Sequence, residues 1–325
     1  MVSTMSNRKI KIAFVGATSQ ISMGLIESFA QFENYELYLY ARSMAKLDLF
    51  ISSIKTKCNI TTDDFEKFDT REYNLIINCI GVVNFKKQEV ISGEIFFLTE
   101  QFDNMILQYM LRYPDTQYVN FSSGAVYGSE FSDGADKNTG SLIYVNRISD
   151  MDFYRIAKIN SEAKHRSMKD LKIIDLRVFA YFSKYISMST GLFITEVINS
   201  VLEHKTFITN SSNMVRDYIG PDDLFLLVKC CLTNPNNNTA FDVYSKGSVT
   251  KFEVLDYFEK KYGFKYEIQE DFFISTTTGY KSNYYSKNRS ANQIGYEPQY
   301  SSLDVIIKGS EQIMKIKKAE VKNNG

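Results

Sequence analysis

Residues 9–22 read KIKIAFVGATSQIS. Lys9 to Val15 is a mostly apolar run of strand length, Gly16 breaks it, and an amphipathic helical pattern follows to about Phe32. Strand, tight turn and helix in that order bring backbone N–H groups and the positive end of a helix dipole to one point, where a pyrophosphate can sit. The usual glycine-rich turn is thinned here to Gly16 alone, with Ser19 and Ser22 at the later positions. Ser22 is small enough for close helix–strand packing. The Ser19 hydroxyl serves either a phosphate or the helix N-terminus as its cap. Gly16, Thr18, Ser19, Gln20 and Ile21 are therefore the expected contacts of a dinucleotide.

The alternation continues. Glu36 to Tyr40 is a second strand, and its end bears on which dinucleotide binds. An acid there would bond the ribose 2′-OH of NAD. This chain reads Ala41-Arg42-Ser43 and has no acid until Asp48. Arg42 and Ser43 suit a 2′-phosphate, so NADP is expected, with NAD possible; the alternative is a solvated arginine at a helix start. A third strand, Leu75 to Ile80, closes on Gly81, where backbone near Cys79 and Ile80 would meet the cofactor ribose. A helix over Gly93 to Leu111 stops before Pro114. Gln117 to Phe121 then leads into Ser122-Ser123-Gly124-Ala125-Val126-Tyr127-Gly128, a strand end of the kind where ligands collect in open α/β sheets. Glu130 to Ser149 is polar and reads as a loop at the site mouth, a candidate lid. Lys172 to Arg177 is the next strand.

These elements predict an α/β fold, a Rossmann-type doubly wound parallel sheet over residues 1–178. A smaller mixed α/β C-terminal lobe follows over residues 179–325, and part of 206–245 returns to the sheet. In that lobe, helices are expected at Leu192 to Glu203, Pro221 to Leu232, Lys251 to Tyr262 and Leu303 to Lys315. Strands are expected at Thr206 to Ile208 and Ala240 to Val243, with a frayed tail after Lys318.

Tyr154 and Lys158 stand four apart on a predicted helix, one above the other on the same face. A phenol is a poor acid or base at neutral pH, and an ammonium nearby favours its ionised form. Ser123, at the preceding strand end, is a candidate hydrogen-bond partner beside Tyr154. A second Tyr-x-x-x-Lys, Tyr257 to Lys261, lacks this company and reads as helix surface.

Lys plus Arg and Asp plus Glu number 38 each, so no general attraction to nucleic acid or anionic membrane is expected. Cys58, Cys79, Cys230 and Cys231 have no metal-ligand spacing and there are two histidines, which disfavours a zinc site. No apolar run approaches a membrane span and no signal peptide is visible, which predicts a cytoplasmic protein.

Gly16-Ala-Thr-Ser, Ser122 to Gly128 and Tyr154-Arg-Ile-Ala-Lys158 together resemble the extended short-chain dehydrogenase/reductase family, in its nucleoside-diphosphate-sugar epimerase and reductase branch. Leu176-Arg-Val-Phe179, Val215-Arg-Asp-Tyr-Ile219 with Asp222-Asp-Leu224, and Ile294-Gly-Tyr-Glu-Pro298 extend the resemblance over residues 9–315. It implies that Ser123, Tyr154 and Lys158 are the catalytic trio and that Phe179 touches the cofactor. It further implies that the C-terminal lobe binds substrate, that Phe193, Arg216 and Arg289 meet a nucleoside-diphosphate sugar, and that the chain forms a homodimer through the Gly93–Leu111 and Tyr154 helices. Two departures matter. Ala180 stands where many relatives have Asn, and Gly124-Ala125 replaces the Asp-Glu pair of sugar 4,6-dehydratases, which disfavours water elimination. The expected activity is NADPH-dependent reduction of a 4-keto nucleotide sugar. The alternatives are a 4-epimerase, and a redox-sensing binding protein that has lost catalysis.

Overall fold

The computed structural model describes residues 9–81, 94–128, 133–235, 238–270 and 282–323. The first half runs β1 (Ile10–Val15), α1 (Gln20–Phe29), β2 (Tyr35–Tyr40), α2 (Met44–Ser53), β3 (Asn59–Asp63), β4 (Leu75–Asn78), α3 (Glu94–Arg112), β5 (Gln117–Ser123), α4 (Asp150–Ser167) and β6 (Lys172–Val178). The second half runs β7 (Ala180–Tyr181), α5 (Phe193–Leu202), β8 (Phe207–Thr209), β9 (Val215–Arg216), β10 (Tyr218–Ile219), α6 (Pro221–Thr233) and β11 (Thr239–Asp242). It ends with β12 (Val249–Thr250), α7 (Lys251–Tyr262), β13 (Tyr266–Ile268), β14 (Asn283–Tyr284) and α8 (Ser302–Asn323).

Seven strands form one parallel sheet in the order β11-β6-β5-β4-β1-β2-β3. Both faces are covered, which is why β1 reads as continuous apolar sequence rather than alternating. Ile12, Phe14, Leu37, Leu39 and Ile77 pack with Leu25 and Phe29 of α1 and Leu224 and Leu227 of α6. Ala13, Val15, Tyr38, Tyr40 and Ile76 point the other way, onto Phe102, Ile106 and Met110 of α3. Each large apolar side chain sealed this way contributes about 1.5–3 kcal/mol. Strand order reverses between β1 and β4, so the C-terminal ends of those strands open a crevice at the switch point.

β11 joins the sheet edge through β6, so the chain returns to the sheet after leaving it at Val178. Helices α5, α7 and α8 pack a separate core, in which Ile194 and Ile198 of α5, Leu255 and Phe258 of α7, and Ile306 and Ile313 of α8 meet Phe182. Two local readings differ from the structure. β3 was not expected: Asn-Ile-Thr-Thr-Asp is short and polar, as suits a sheet edge left partly open. The tail also stays helical to Asn323, with Lys317 pairing Glu320 at 2.8 Å across one turn. The expected start of the second helix at Gly93 lies outside the described residues.

Gly24 shows how tightly α1 meets the second half. A Cβ there would lie 2.1 Å from the Tyr181 hydroxyl and 3.3 Å from Pro221 Cγ. Gly24→Ala is expected to destabilise the protein by about 1–3 kcal/mol in denaturant unfolding. Adding Tyr181→Phe, which removes the obstructing oxygen, is expected to recover part of that loss.

Candidate active site

The crevice begins at Gly16, whose φ of +84° lies in the left-handed region. Its N–H and that of Ala17 both donate to Tyr40 O at 3.0 Å, which binds the turn to the end of β2. A Cβ on Gly16 would sit 2.8 Å from Ile80 Cγ1 and 3.2 Å from Ile80 N, so the turn presses against the end of β4. Ser19 caps α1, its Oγ accepting from Ser22 N at 3.1 Å, and Ser22 Oγ donates to Gly16 O at 3.0 Å. Ser22 is fully buried, as close packing requires. Thr18, Gln20 and Ile21 stand half-buried around the helix N-terminus. Gln20 Oε1 is buried with no hydrogen-bond partner, an acceptor left for a ligand donor.

At the end of β2, Arg42 and Ser43 are exposed, and Ser43 Oγ caps α2 by accepting from Lys46 N at 3.4 Å. Lys46, which the sequence reading did not single out, reaches back and donates from Nζ to Thr18 O at 3.2 Å. Lys46 thus puts an ammonium on the turn, and Arg42 stands exposed at the adjoining end of β2. At the end of β4, Asn78 Oδ1 accepts from Ile80 N at 3.0 Å. Burial pushes the Cys79 thiol up to about 12, although Ser22, Ser19 and Lys158 pull the other way. That thiol is inert near neutral pH. Gly81 is exposed at the end of this segment.

Ser123 ends β5, and its Oγ accepts from Ala125 N at 3.1 Å as a single helical turn begins. Lys158 is 4 % exposed and donates from Nζ to Phe121 O at 2.8 Å, which ties α4 to that strand. The same ammonium lies 6.0 Å from the centroid of the Tyr154 ring. A capping box between Ser149 and Asp152 starts the helix. Next to Tyr154, Arg155 bonds Asp152, Ser141 Oγ and Leu142 O, fastening the 133–149 loop to the helix. The loop is also stitched to the segment after β14, with Ala135 N donating to Tyr285 O at 2.8 Å and Lys287 N to Ala135 O at 2.6 Å.

Tyr284 was missed in the sequence and stands at the centre. Its hydroxyl is 3.2 Å from Ser123 Oγ, from 161 residues away in the chain. Burial raises its pKa against the Ser123 hydrogen bond; the Tyr154 phenol adds to the rise and the Arg216 charge opposes it. Ser123, Tyr154, Tyr284 and Arg216 therefore share one electrostatic neighbourhood. No local pattern marks Tyr284; only the pairing of β14 with β9, which sets it opposite Arg216, brings it in.

The remaining expected residues are placed as follows. Arg216 Nη1 donates to Val215 O at 2.9 Å and to Ser282 O at 3.3 Å. Of the aspartates that follow it in the sequence, Asp217 accepts from Ser245 N and Ser302 Oγ, and Asp222 accepts from Lys308. Arg289 lies over the Tyr244 ring at 4.2 Å and donates to Ser245 O, so its guanidinium already has a structural seat. Phe193 packs edge-on to Phe207 at 5.9 Å in the second core. Phe179 stacks on Tyr127 (6.2 Å) and meets Tyr284 at a tilt (5.1 Å), and its Cδ1 lies 2.5 Å from where a Cβ on Gly124 would be. Tyr257 belongs to the α7 face of the second core, and Lys261 pairs Glu311 at 3.5 Å. Among the described residues, no group of three or more His, Cys, Asp or Glu is placed to hold a metal ion. No helix among them is long and apolar enough to cross a membrane.

A model of the NAD dependent epimerase/dehydratase family matches residues 12–247, and the chain belongs to this family. Among solved structures, a variant of UDP-glucuronic acid 4-epimerase from Bacillus cereus, in complex with UDP-4-deoxy-4-fluoro-glucuronic acid and NAD, superposes with a TM-score of 0.78. The two are 14 % identical over 94 % of this chain and 100 % of that one. The dTDP-glucose 4,6-dehydratase of Bacillus anthracis with NAD gives 0.74 at 15 % identity, covering 94 % and 97 %. UDP-glucose 4-epimerase of Thermotoga maritima with UDP-glucose gives 0.75 at 14 %, covering 94 % and 99 %. At these identities the likeness is one of fold. No curated protein matches the chain.

Gly16 combines a left-handed backbone with a crowded neighbour. Gly16→Ala is expected to cost about 1–2 kcal/mol of stability from its left-handed backbone alone. The clash with Ile80 is expected to weaken dinucleotide binding as well, read by thermal shift with and without NAD(P)H.

Proposed function

We propose that this enzyme uses NADP(H) to reduce a 4-keto nucleotide sugar. The observation that carries the reading is the surrounding of the Ser123 strand tip. The Ser123 and Tyr284 hydroxyls lie 3.2 Å apart there with Tyr154 near enough for its phenol to raise the pKa of Tyr284, while Gly124 and Ala125 bring no carboxyl group, and the Phe179 ring fills the space a side chain at 124 would need. Such a site can move a proton to or from an oxygen and has no acid–base pair at the position used for elimination. Bound nicotinamide supplies or accepts the hydride. Tyr154 gives its proton to the developing alkoxide, Ser123 orients the carbonyl oxygen, and Lys158 holds the nicotinamide ribose while its positive charge favours the phenolate left behind. Arg216, beside Tyr284, is the candidate for the diphosphate, for which a guanidinium fork is well shaped.

Arg42, Ser43 and Lys46, with no acid among them, support NADP over NAD. The second reading is a nucleotide-sugar 4-epimerase with NAD held through the turnover, supported by the UDP-glucuronic acid 4-epimerase of Bacillus cereus, which has this fold and whose structures contain NAD. A homodimer through α3 and α4 is supported by the exposed apolar side chains Phe97 and Leu111 on α3 and Met151 on α4. The four free cysteines suit a cytoplasmic enzyme.

Two measurements test the reading. Tyr154→Phe is expected to leave NADPH affinity nearly unchanged and lower turnover by about 10²-fold or more; an unaltered rate removes Tyr154 from the chemistry. Arg42→Ala with Lys46→Ala is expected to weaken NADPH binding by about tenfold or more and leave NADH binding alone; equal losses for both dinucleotides refute the 2′-phosphate assignment. Stoichiometric NADPH oxidation with a 4-keto substrate marks a reductase. Interconversion of two sugars without net oxidation marks an epimerase.

A further inference from the structure

His165 lies on α4 about three turns beyond Tyr154 and takes no part in the chemistry above. It is fully buried. Its Nε2 is 2.7 Å from Asp103 Oδ1 on α3, and its Nδ1 is 2.9 Å from Asp175 Oδ1 on β6. A neutral imidazole has one donor and one acceptor, whereas a carboxylate only accepts. Each carboxylate oxygen already faces another donor. Asp103 Oδ1 accepts from Tyr118 OH at 3.0 Å and Oδ2 lies 2.6 Å from Lys164 Nζ. Asp175 Oδ1 accepts from Asn120 Nδ2 at 2.7 Å and Oδ2 from Arg166 Nη2 at 2.6 Å. The shared protons can sit on the ring, or one can sit on an aspartate and point back at a ring nitrogen; with Lys164 and Arg166 also facing these carboxyl groups, both aspartates are better served as carboxylates and His165 as the doubly protonated imidazolium.

The clamp has an outlet. Tyr118 OH, bonded to Asp103, accepts from Asn78 Nδ2 at 2.9 Å, and Asn78 Oδ1 accepts from Ile80 N at 3.0 Å. Ile80 N is the backbone atom that a Cβ on Gly16 would approach to 3.2 Å, at the floor of the dinucleotide crevice. We propose that the His165 imidazolium is a positioning residue that, through Asp103, Tyr118 and Asn78, fixes the Ile80 peptide against the bound dinucleotide, so that dinucleotide affinity falls when the imidazole loses its proton. This rests on the cofactor reading given above.

The groups facing the imidazole are Asp103 from α3, Asp175 from β6 and the edge of the Tyr118 ring from β5, at 5.4 Å. On its own helix, Lys164 and Arg166 pair with those two aspartates, and Asn238 Nδ2 caps the His165 carbonyl at 3.1 Å. Burial opposes the charge, but the hydrogen bonds and charges of Asp103 and Asp175 outweigh it and lift His165 from 6.5 to about 9. Burial would likewise raise the Asp103 carboxyl, and His165 and Lys164 bring it below its ordinary value. In the folded protein the imidazolium is therefore kept until pH approaches about 9, while the stability it contributes is full below about pH 6.5 and is lost as pH rises through about 9.

The test measures NADPH and NADH affinity of the intact protein from about pH 7 to about pH 10, beside Tyr118→Phe, which cuts the string and leaves the clamp's ions in place. Wild type is expected to lose about tenfold in affinity over that range. Tyr118→Phe is expected to bind more weakly at neutral pH and to lose little more on going alkaline. An alkaline loss that persists unchanged in Tyr118→Phe comes from another group and overturns the proposal alone. Binding of neither dinucleotide at neutral pH overturns the cofactor reading and this proposal with it. Histidine-selective NMR reads the proton directly, since the chain has two histidines and His204→Gln assigns them. An imidazolium signature that persists well above pH 6.5 supports the clamp, and a neutral ring at pH 7 overturns it.

Discussion

A buried ammonium donating to a backbone carbonyl, Lys158 Nζ to Phe121 O at 2.8 Å, holds the site in register. An ammonium this far from water needs compensation, and here a strand carbonyl provides it. Phe121 is two residues before Ser123 on β5, and Tyr154 is one helical turn before Lys158 on α4. The contact therefore sets the distance between helix and strand tip on which every other group in the crevice depends. It also limits how the lysine can move, because turning toward a ribose would exchange one oxygen acceptor for another and leave the charge in the same buried spot.

A second frame lies beneath the first. Arg177 of β6 forks onto Glu162 of α4 at 2.6 Å and donates to Tyr127 OH at 2.7 Å. Tyr127 in turn donates to Asp242 of β11 at 2.8 Å, and Ser286 donates to the same carboxylate at 2.5 Å. Burial raises the Asp242 carboxyl even against these partners. The chain of bonds runs from the Tyr154 helix to the strand that rejoins the sheet and to the segment after Tyr284. Residues distant in sequence are thus delivered to one face by polar contacts inside a largely apolar core, where an unmet partner is costly.

The main sheet was legible because its signals are local: apolar runs of strand length, Gly16 at a positive φ, and helices with ordinary caps. The end of β5 and the Tyr154 helix were legible for the same reason. β3 was not, since a polar edge strand carries little periodicity. Lys46 was hidden because its relevance depends on a side chain reaching back across a turn to Thr18. Tyr284 was hidden more deeply. Its position follows from a two-residue strand pairing that no propensity announces, and the segment is rich in tyrosines that look alike in sequence. Arg289 shows the opposite failure, a residue type suited to phosphate whose guanidinium rests on the Tyr244 ring and a carbonyl.

The contact between Phe179 and Gly124 constrains the order in which this scaffold can change its chemistry. A carboxylate at position 124 has nowhere to go while the ring is present, and removing the ring first opens a void beside Tyr127 and Tyr284. Each single step is disfavoured, by crowding in one order and by a cavity in the other. The absence of an acid–base pair beside Ser123 is therefore held in place by aromatic packing on the far side of the glycine, and the two would have to be exchanged together.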